Sequence, residues 1–254
     1  RLVSLPAEIG FWTSITELSV ASNKLRSLPV QLGLLTILSR LDIDNNEISS
    51  PPAEVVARGP SDVVDFMRRI CDAKYTGTLN LSGKALKVVN PEVFDIEGLR
   101  VLNLSDNIIS SLPDNFQKMT VLTEMTIANN HLSTLPPSFA CCEQLQRLVL
   151  TGNRMASLPA EIGALVRLQH FEYQQQNPLL SPPETILSRG TKAIVEFLGS
   201  IFFAGRTQRL DLSAMGLSTI PPEVFSLLTL RKLTLDRNNL TALPASIQQL
   251  TSLE

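Results

Sequence analysis

The sequence predicts an α/β solenoid, in which short parallel strands stack into a curved sheet and two helical islands interrupt the stack. Three observations predict this fold. Apolar residues recur in phase about every 23 residues, two segments near 51–74 and 182–205 break that phase, and apolar residues make up 44% of the chain while aromatic residues make up only 5%. A fixed period of this length is typical of repeat architectures, whose core forms by stacking copies.

Each copy of the repeat carries the same order of side chains. The copy that starts at Leu99 follows LxxLxLxxNxL and continues to a Leu-Pro step at Leu112 and Pro113. The two leucines of the LxL step alternate with outward residues, as a short strand with one buried face requires. Nine strand-bearing frames are present, and the outward residues that begin them are Glu17, Arg40, Thr78, Val101, Glu124, Arg147, His170, Arg209 and Lys232.

An asparagine follows the strand in most copies. Its side-chain amide can satisfy backbone groups that the turn leaves unpaired, so stacked copies should form a ladder of hydrogen bonds. The ladder residues are Asn23, Asn46, Asn107, Asn130, Asn153, Asn177 and Asn238. Lys84 and Met215 stand where an asparagine would follow each island, which predicts two breaks in the ladder.

The two islands resemble each other at a constant spacing. Pro51 corresponds to Pro182 and Phe66 to Phe197, an offset of 131 residues, and the offset is 130 upstream of a one-residue slip before Asn177. We therefore interpret the chain as a duplicated unit of about 130 residues, each copy with several repeats and one island.

Each island carries a one-sided apolar stripe that predicts a helix. These helices are expected at Asp62–Asp72 and Lys192–Phe203, with Ser61 and Thr191 as their N-terminal caps. A helix of this kind either packs on the solenoid or docks a partner. Because apolar stripes are usually buried, the pattern favours packing. Phe202 and Phe203 widen the second stripe, which makes the second helix the better candidate for docking a partner.

The repeat resembles the leucine-rich-repeat family in its 23-residue intracellular class. The segment 177–198 is similar to one that closes repeat blocks in Ras-suppressor-like, plant Ras-group-related and Roco-type proteins, although the first island departs from it at 46–48, which reads Asn-Glu-Ile in place of Asn-Pro-Leu. The resemblance implies a cytoplasmic scaffold that binds GTPases, kinases or other scaffolds. We expect residues 1–254 to form a single leucine-rich-repeat domain, and the interrupted pattern at both ends indicates a fragment of a longer chain.

Composition narrows the classes of partner. The net charge of −2 offers no basic field for nucleic acid, and no apolar run is long enough to insert into a membrane. Cys71, Cys141 and Cys142 are too few and too badly spaced for a disulfide framework, which favours reduced thiols and a cytoplasmic location.

No group of residues in the sequence matches a known catalytic or metal-binding motif. The sequence contains neither a phosphate-binding glycine loop nor a metal-ligand spacing, and neither His131 nor His170 stands where it could activate a cysteine. We therefore expect a protein that is not an enzyme, with no catalytic residue, no cofactor and no metal.

The expected role is protein binding. Outward residues of the strands should line the concave face, and the candidate partner-binding residues on its C-terminal half are Arg147, His170, Glu172, Arg209, Asp211, Lys232 and Asp236. The favoured hypothesis is a scaffold or adaptor. Two alternatives stay open: a structural subunit of a large ciliary or cytoskeletal assembly, and the regulatory repeat region of a multidomain kinase or GTPase.

Overall fold

The computed structural model describes all residues, 1–254, as a stack of short parallel strands. The nine strands are β1 (Glu17–Ser19), β2 (Arg40–Asp42), β3 (Thr78–Asn80), β4 (Val101–Asn103), β5 (Glu124–Thr126), β6 (Arg147–Val149), β7 (His170–Glu172), β8 (Arg209–Asp211) and β9 (Lys232–Thr234). Every predicted frame contains a strand, and each strand begins at its residue of the first outward row, because only one register of the leucine pattern buries the leucines and exposes their neighbours.

The strands form three parallel sheets rather than one. β1 pairs with β2, β3 to β7 pair in chain order, and β8 pairs with β9. Partners keep the register of the repeat, with Glu17 opposite Arg40 and Arg147 opposite His170. Strand pairing is interrupted between β2 and β3 and between β7 and β8, which are the places where the islands lie in the sequence. The islands therefore interrupt the sheet as well as the 23-residue repeat.

The return path of each copy contains a short 3-10 helix. These eight segments are Ala7–Phe11, Val30–Leu34, Pro91–Asp95, Phe116–Lys118, Pro137–Cys141, Ala160–Ala164, Pro222–Ser226 and Ala245–Gln249. Most follow a proline, which lacks the N–H group needed to continue strand pairing. Apolar anchors such as Phe139 and Ile162 are fully buried and close the core from this side.

A continuous apolar core runs along the stack. It contains 61 buried hydrophobic residues, from Ile9 to Leu250. Phe94, Phe116 and Phe139 pack edge to face in its middle, with ring centroids 5.1 and 5.0 Å apart. Because each layer is buried only by its neighbours, the stability of one copy depends on the next.

The asparagine ladder is confirmed. Oδ1 of Asn130 accepts a hydrogen bond from the Ile109 N–H, and its Nδ2 donates to the carbonyls of Leu104 and Ile127. Both breaks are also confirmed: the backbone N–H groups of Lys84 and Met215 donate to the asparagine of the following copy, and their side chains take no part in the ladder.

Each island contains a short helix followed by a long one, and the long helices extend beyond their predicted ends. The island helices are α1 (Ala53–Val56), α2 (Pro60–Thr76), α3 (Glu184–Leu187) and α4 (Thr191–Thr207). The predicted caps, Ser61 and Thr191, are wrong, since both lie inside helices. Gly59 and Gly190 precede α2 and α4 with φ of 100° and 85°, a conformation that side chains disfavour.

The long island helices pack on the solenoid, as the apolar stripes predict. Each lies against the 3-10 segment of the copy before it, at distances that only glycine permits. A Cβ on Gly33 would overlap the backbone of Arg68 in α2, and one on Gly163 would overlap the backbone of Gly199 in α4. None of the helices has both the length and the hydropathy that a bilayer span requires.

Candidate protein-binding surface

The outward side chains of β1–β9, which we call the strand face, are mostly exposed and polar. In β3, β7 and β8 a single buried residue lies between two exposed ones, which is the alternation that a one-sided sheet produces. The residues that the sequence places in the concave binding surface therefore lie on an accessible face.

The first group of candidate residues lies at the end of the five-stranded sheet. Arg147 begins β6, while His170 and Glu172 flank the buried Phe171 in β7. Nη2 of Arg147 donates to Oε1 of Glu172 at 2.6 Å. Because both side chains are close to half exposed, this ion pair orients the guanidinium group more than it stabilises the fold.

The second group lies beyond α4 on the two-stranded sheet. Arg209 and Asp211 are the outer residues of β8, Lys232 lies opposite Arg209 in β9, and Asp236 follows that strand. Ser213 lowers the pKa of Asp211 through hydrogen bonds to its carboxylate from the side-chain hydroxyl and from the backbone N–H. The seven predicted residues therefore form two groups on separate sheets.

A groove that the sequence analysis missed lies beside the second island. It has a volume of about 1050 Å³ and is lined by α4, by residues 163–169 and by Arg209 and Asp211 of β8. Val166, Val195 and Phe203 provide its apolar wall. We call this space the second-island groove. The sequence could have indicated this groove through a residue-by-residue comparison of the two islands, because their side chains differ at equivalent positions.

The equivalent space beside the first island is much smaller. Its volume is about 330 Å³, and Lys84, Asp65 and Arg68 line it. Nζ of Lys84 lies 2.8 Å from Oδ2 of Asp65, and Arg68 and Arg69 pair with the same carboxylate at 3.2 and 2.8 Å. Burial raises the pKa of Asp65, but hydrogen bonds from Lys84 and Arg69 outweigh it and lower the pKa to about 2.

The three cysteines are unpaired. Cys71 and Cys142 are buried, whereas Cys141 is exposed. Burial raises the pKa of the Cys142 thiol to about 12, so it stays protonated and unreactive at neutral pH. No group of three or more His, Cys, Asp or Glu residues lies close enough to hold a metal ion.

Stacked parallel strands, an asparagine ladder and an exposed strand face together define an α/β leucine-rich-repeat solenoid with helical regions. The Leucine rich repeat family model matches residues 77–132 and 97–155. This part of the chain is therefore similar to leucine-rich-repeat proteins, which generally mediate protein–protein interaction. The 23-residue intracellular class stays a prediction.

Solved leucine-rich-repeat structures resemble the chain at low identity. A Leptospira interrogans protein is 24% identical with a TM-score of 0.40, over 100% of this chain and 69% of that one. The plant peptide hormone receptor RGFR1, in complex with RGF2, is 22% identical with a TM-score of 0.42, over 98% and 40%. An internalin from Listeria monocytogenes is 15% identical with a TM-score of 0.41, over 99% and 76%. No curated protein matches the chain.

Proposed function

We propose that this protein is a non-enzymatic scaffold or adaptor, located in the cytoplasm, that binds a protein partner through the C-terminal half of its strand face. One observation carries the proposal. The cationic side chains of Arg209 and Lys232 are exposed on adjacent strands, and neither forms an ion pair within the chain. Arg147, His170, Glu172, Asp211 and Asp236 complete the surface.

The charge pattern suits recognition of a specific partner. Positive and negative side chains alternate across the two groups, and the Arg147–Glu172 pair is already ordered. Complementary charges of this kind contribute most to association rate and to discrimination between partners. Free thiols in all three cysteines support the proposed cytoplasmic location, and the equivalent island helices support a single domain built from a duplicated unit.

The test is an affinity purification from native extract with the full chain as bait, followed by mass spectrometry. A variant with Arg147, Arg209 and Lys232 changed to Glu should lose a short list of partners. The matched control changes Lys24, Lys87 and Arg154 to Glu, which alters the net charge equally at exposed positions outside the strands. Partners kept by the first variant, or lost equally from both, would contradict the proposal.

The same experiment separates the two alternatives. A structural subunit of a ciliary or cytoskeletal assembly would co-purify with many proteins in fixed ratio and resist salt. A regulatory repeat region would instead be found in one polypeptide with a kinase or GTPase domain. A few partners that dissociate at moderate salt would support the adaptor, because exposed charge contacts are screened.

A further inference from the structure

The two islands provide an internal comparison, since each long helix packs in the same way on the preceding copy. The spaces beside them differ about threefold in volume, at about 1050 and 330 Å³. Because the backbones are equivalent, the difference must come from side chains at corresponding positions.

Charged side chains fill the space beside the first island. The Lys84 side chain is only 12% exposed and is held between Asp62 and Asp65 of α2. In the second island Met215 replaces Lys84, and Gly199 and Ser200 replace Arg68 and Arg69. These replacements remove the ion-pair cluster and open the groove.

The second-island groove has apolar walls where its counterpart is polar. Val166 is 74% exposed and corresponds to Thr36, while Phe203 is 46% exposed and corresponds to Asp72. Both side chains line one groove and are exposed to water. Covering them with another apolar surface is therefore favourable.

Cations surround this groove and have no equivalents in the first island. The three replacements are Arg167 for Ile37, Lys192 for Ser61 and Arg209 for Thr78. Lys192 lies 3.9 Å from Glu196 in α4, and the Asp211 carboxylate is engaged by the Ser213 N–H. Arg167 and Arg209 have no carboxylate partner within the chain, so two guanidinium groups remain available to an incoming anion.

We propose that the second-island groove binds an acidic peptide segment of a partner protein, with apolar side chains against Val166 and Phe203 and carboxylates on Arg167 and Arg209. The inference rests on the proposed role in protein binding and adds a second contact surface with a defined ligand chemistry. A peptide suits the groove because it is elongated along α4, open to solvent and large enough for several side chains.

The test measures fluorescence anisotropy with the full chain and a fluorescein-labelled peptide in which leucines are flanked by glutamates. The double variant Val166→Thr/Phe203→Asp places the corresponding residues of the first island in the groove. It should weaken binding at least about tenfold, equivalent to about 1.4 kcal/mol. Arg167→Ile should also weaken binding and reduce its dependence on salt.

The matched control is Val88→Thr/Tyr75→Asp, which makes the same kinds of change at exposed positions near the first island. Its affinity should equal that of the unmodified chain, and circular dichroism should show that every variant is folded. A peptide with serine in place of leucine, or lysine in place of glutamate, should not bind.

Three results would overturn the inference: no binding to the unmodified chain, equal losses in the groove and control variants, or equal binding of the serine or lysine peptides. A dimer of the chain that Phe203→Asp dissociates would assign the groove to a second copy instead. Arg209 belongs to both surfaces, so the variant that separates them is Arg147→Glu/Lys232→Glu, which leaves Arg209 in place. It should lose the partners of the strand face and leave peptide binding unchanged, so the two proposals can fail separately.

Discussion

Asp65 is the centre of the ion-pair cluster that occupies the space beside the first island. It accepts hydrogen bonds from Lys84, Arg68 and Arg69, and so joins the island helix to the repeat that follows it. Its neighbour Asp62 lies 3.5 Å from the same Lys84 amine. Because the Lys84 side chain is only 12% exposed, these carboxylates compensate for the hydration that its amine loses, and the loss of one leaves a cation in a poorly solvated place.

Asp65→Asn should lower the free energy of unfolding by about 1 to 2 kcal/mol at neutral pH, after allowance for partial solvent screening. The folded-state pKa of Asp65 is about 2, below its ordinary value of 3.8. Its stabilising contribution is therefore complete above pH 3.8 and is lost as pH falls through about 2. Urea unfolding across this range checks the prediction.

Glu196→Gln is the control for Asp65→Asn, because Glu196 is the corresponding residue of the second island and is exposed beside Lys192. It should change stability by only a few tenths of a kcal/mol. If both variants lose equal stability, the ion-pair cluster is not what distinguishes the first island.

The long island helices depend on close backbone contact. Gly163 in the 3-10 segment faces Gly199 in α4, and no side chain fits between them. This approach places α4 over the preceding copy and positions Val195 and Phe203 beside Val166. The width of the second-island groove is therefore set by two glycines that lie in its floor.

Gly163→Ala should destabilise the chain by about 1 to 3 kcal/mol, because the added methyl group forces α4 away from its packing surface. Gly205→Ala is the matched control: it lies near the end of the same helix, and no atom lies within 4 Å of the place that its Cβ would take. That change should be neutral or stabilise the helix by up to about 1 kcal/mol. Thermal unfolding of both variants distinguishes packing from helix propensity.

Strands and islands differ in how well the sequence predicts them. The start of β6 at Arg147 is predictable because leucine spacing admits one register. The ends of α2 and α4 are not, because their caps are glycines with positive φ, and a serine or threonine nearby imitates the usual cap. The repeat pattern does not predict the second-island groove, because the groove forms where the large charged side chains of the first island are absent beside α4.

The solenoid formed by residues 1–254 is buried unevenly along its length. Met125 in β5 has no solvent exposure, whereas Leu233 in β9 is only partly buried and Leu243 is 60% exposed. Layers with two stacked neighbours are buried on both sides, and the outermost layers on one side only. In a repeat protein, local stability follows the number of such interfaces.

Amide hydrogen exchange on the 254-residue chain should therefore show the slowest exchange in β4, β5 and β6. The amides of β1 and β9 should exchange fastest among the strands. Mass spectrometry of peptic fragments would resolve the gradient. Uniform protection along the stack would contradict it and indicate one cooperative unit.

The two gaps in the sheet have a mechanical consequence. Within β3 to β7 a pulling force along the stack meets backbone hydrogen bonds at every layer. Between β2 and β3 it meets helix packing together with the ion pairs of Lys84, and between β7 and β8 it meets helix packing without that cluster. A single dispersion contact contributes only about 0.1–0.2 kcal/mol, whereas a hydrogen bond depends steeply on distance and angle. A ladder of aligned hydrogen bonds therefore resists small displacements more stiffly than packing contacts do. The molecule is thus a stiff central block between two joints, and the joint at the second island is the more compliant because it lacks the ion pairs of Lys84. The second-island groove lies at that joint, where a bound peptide would act as a splint.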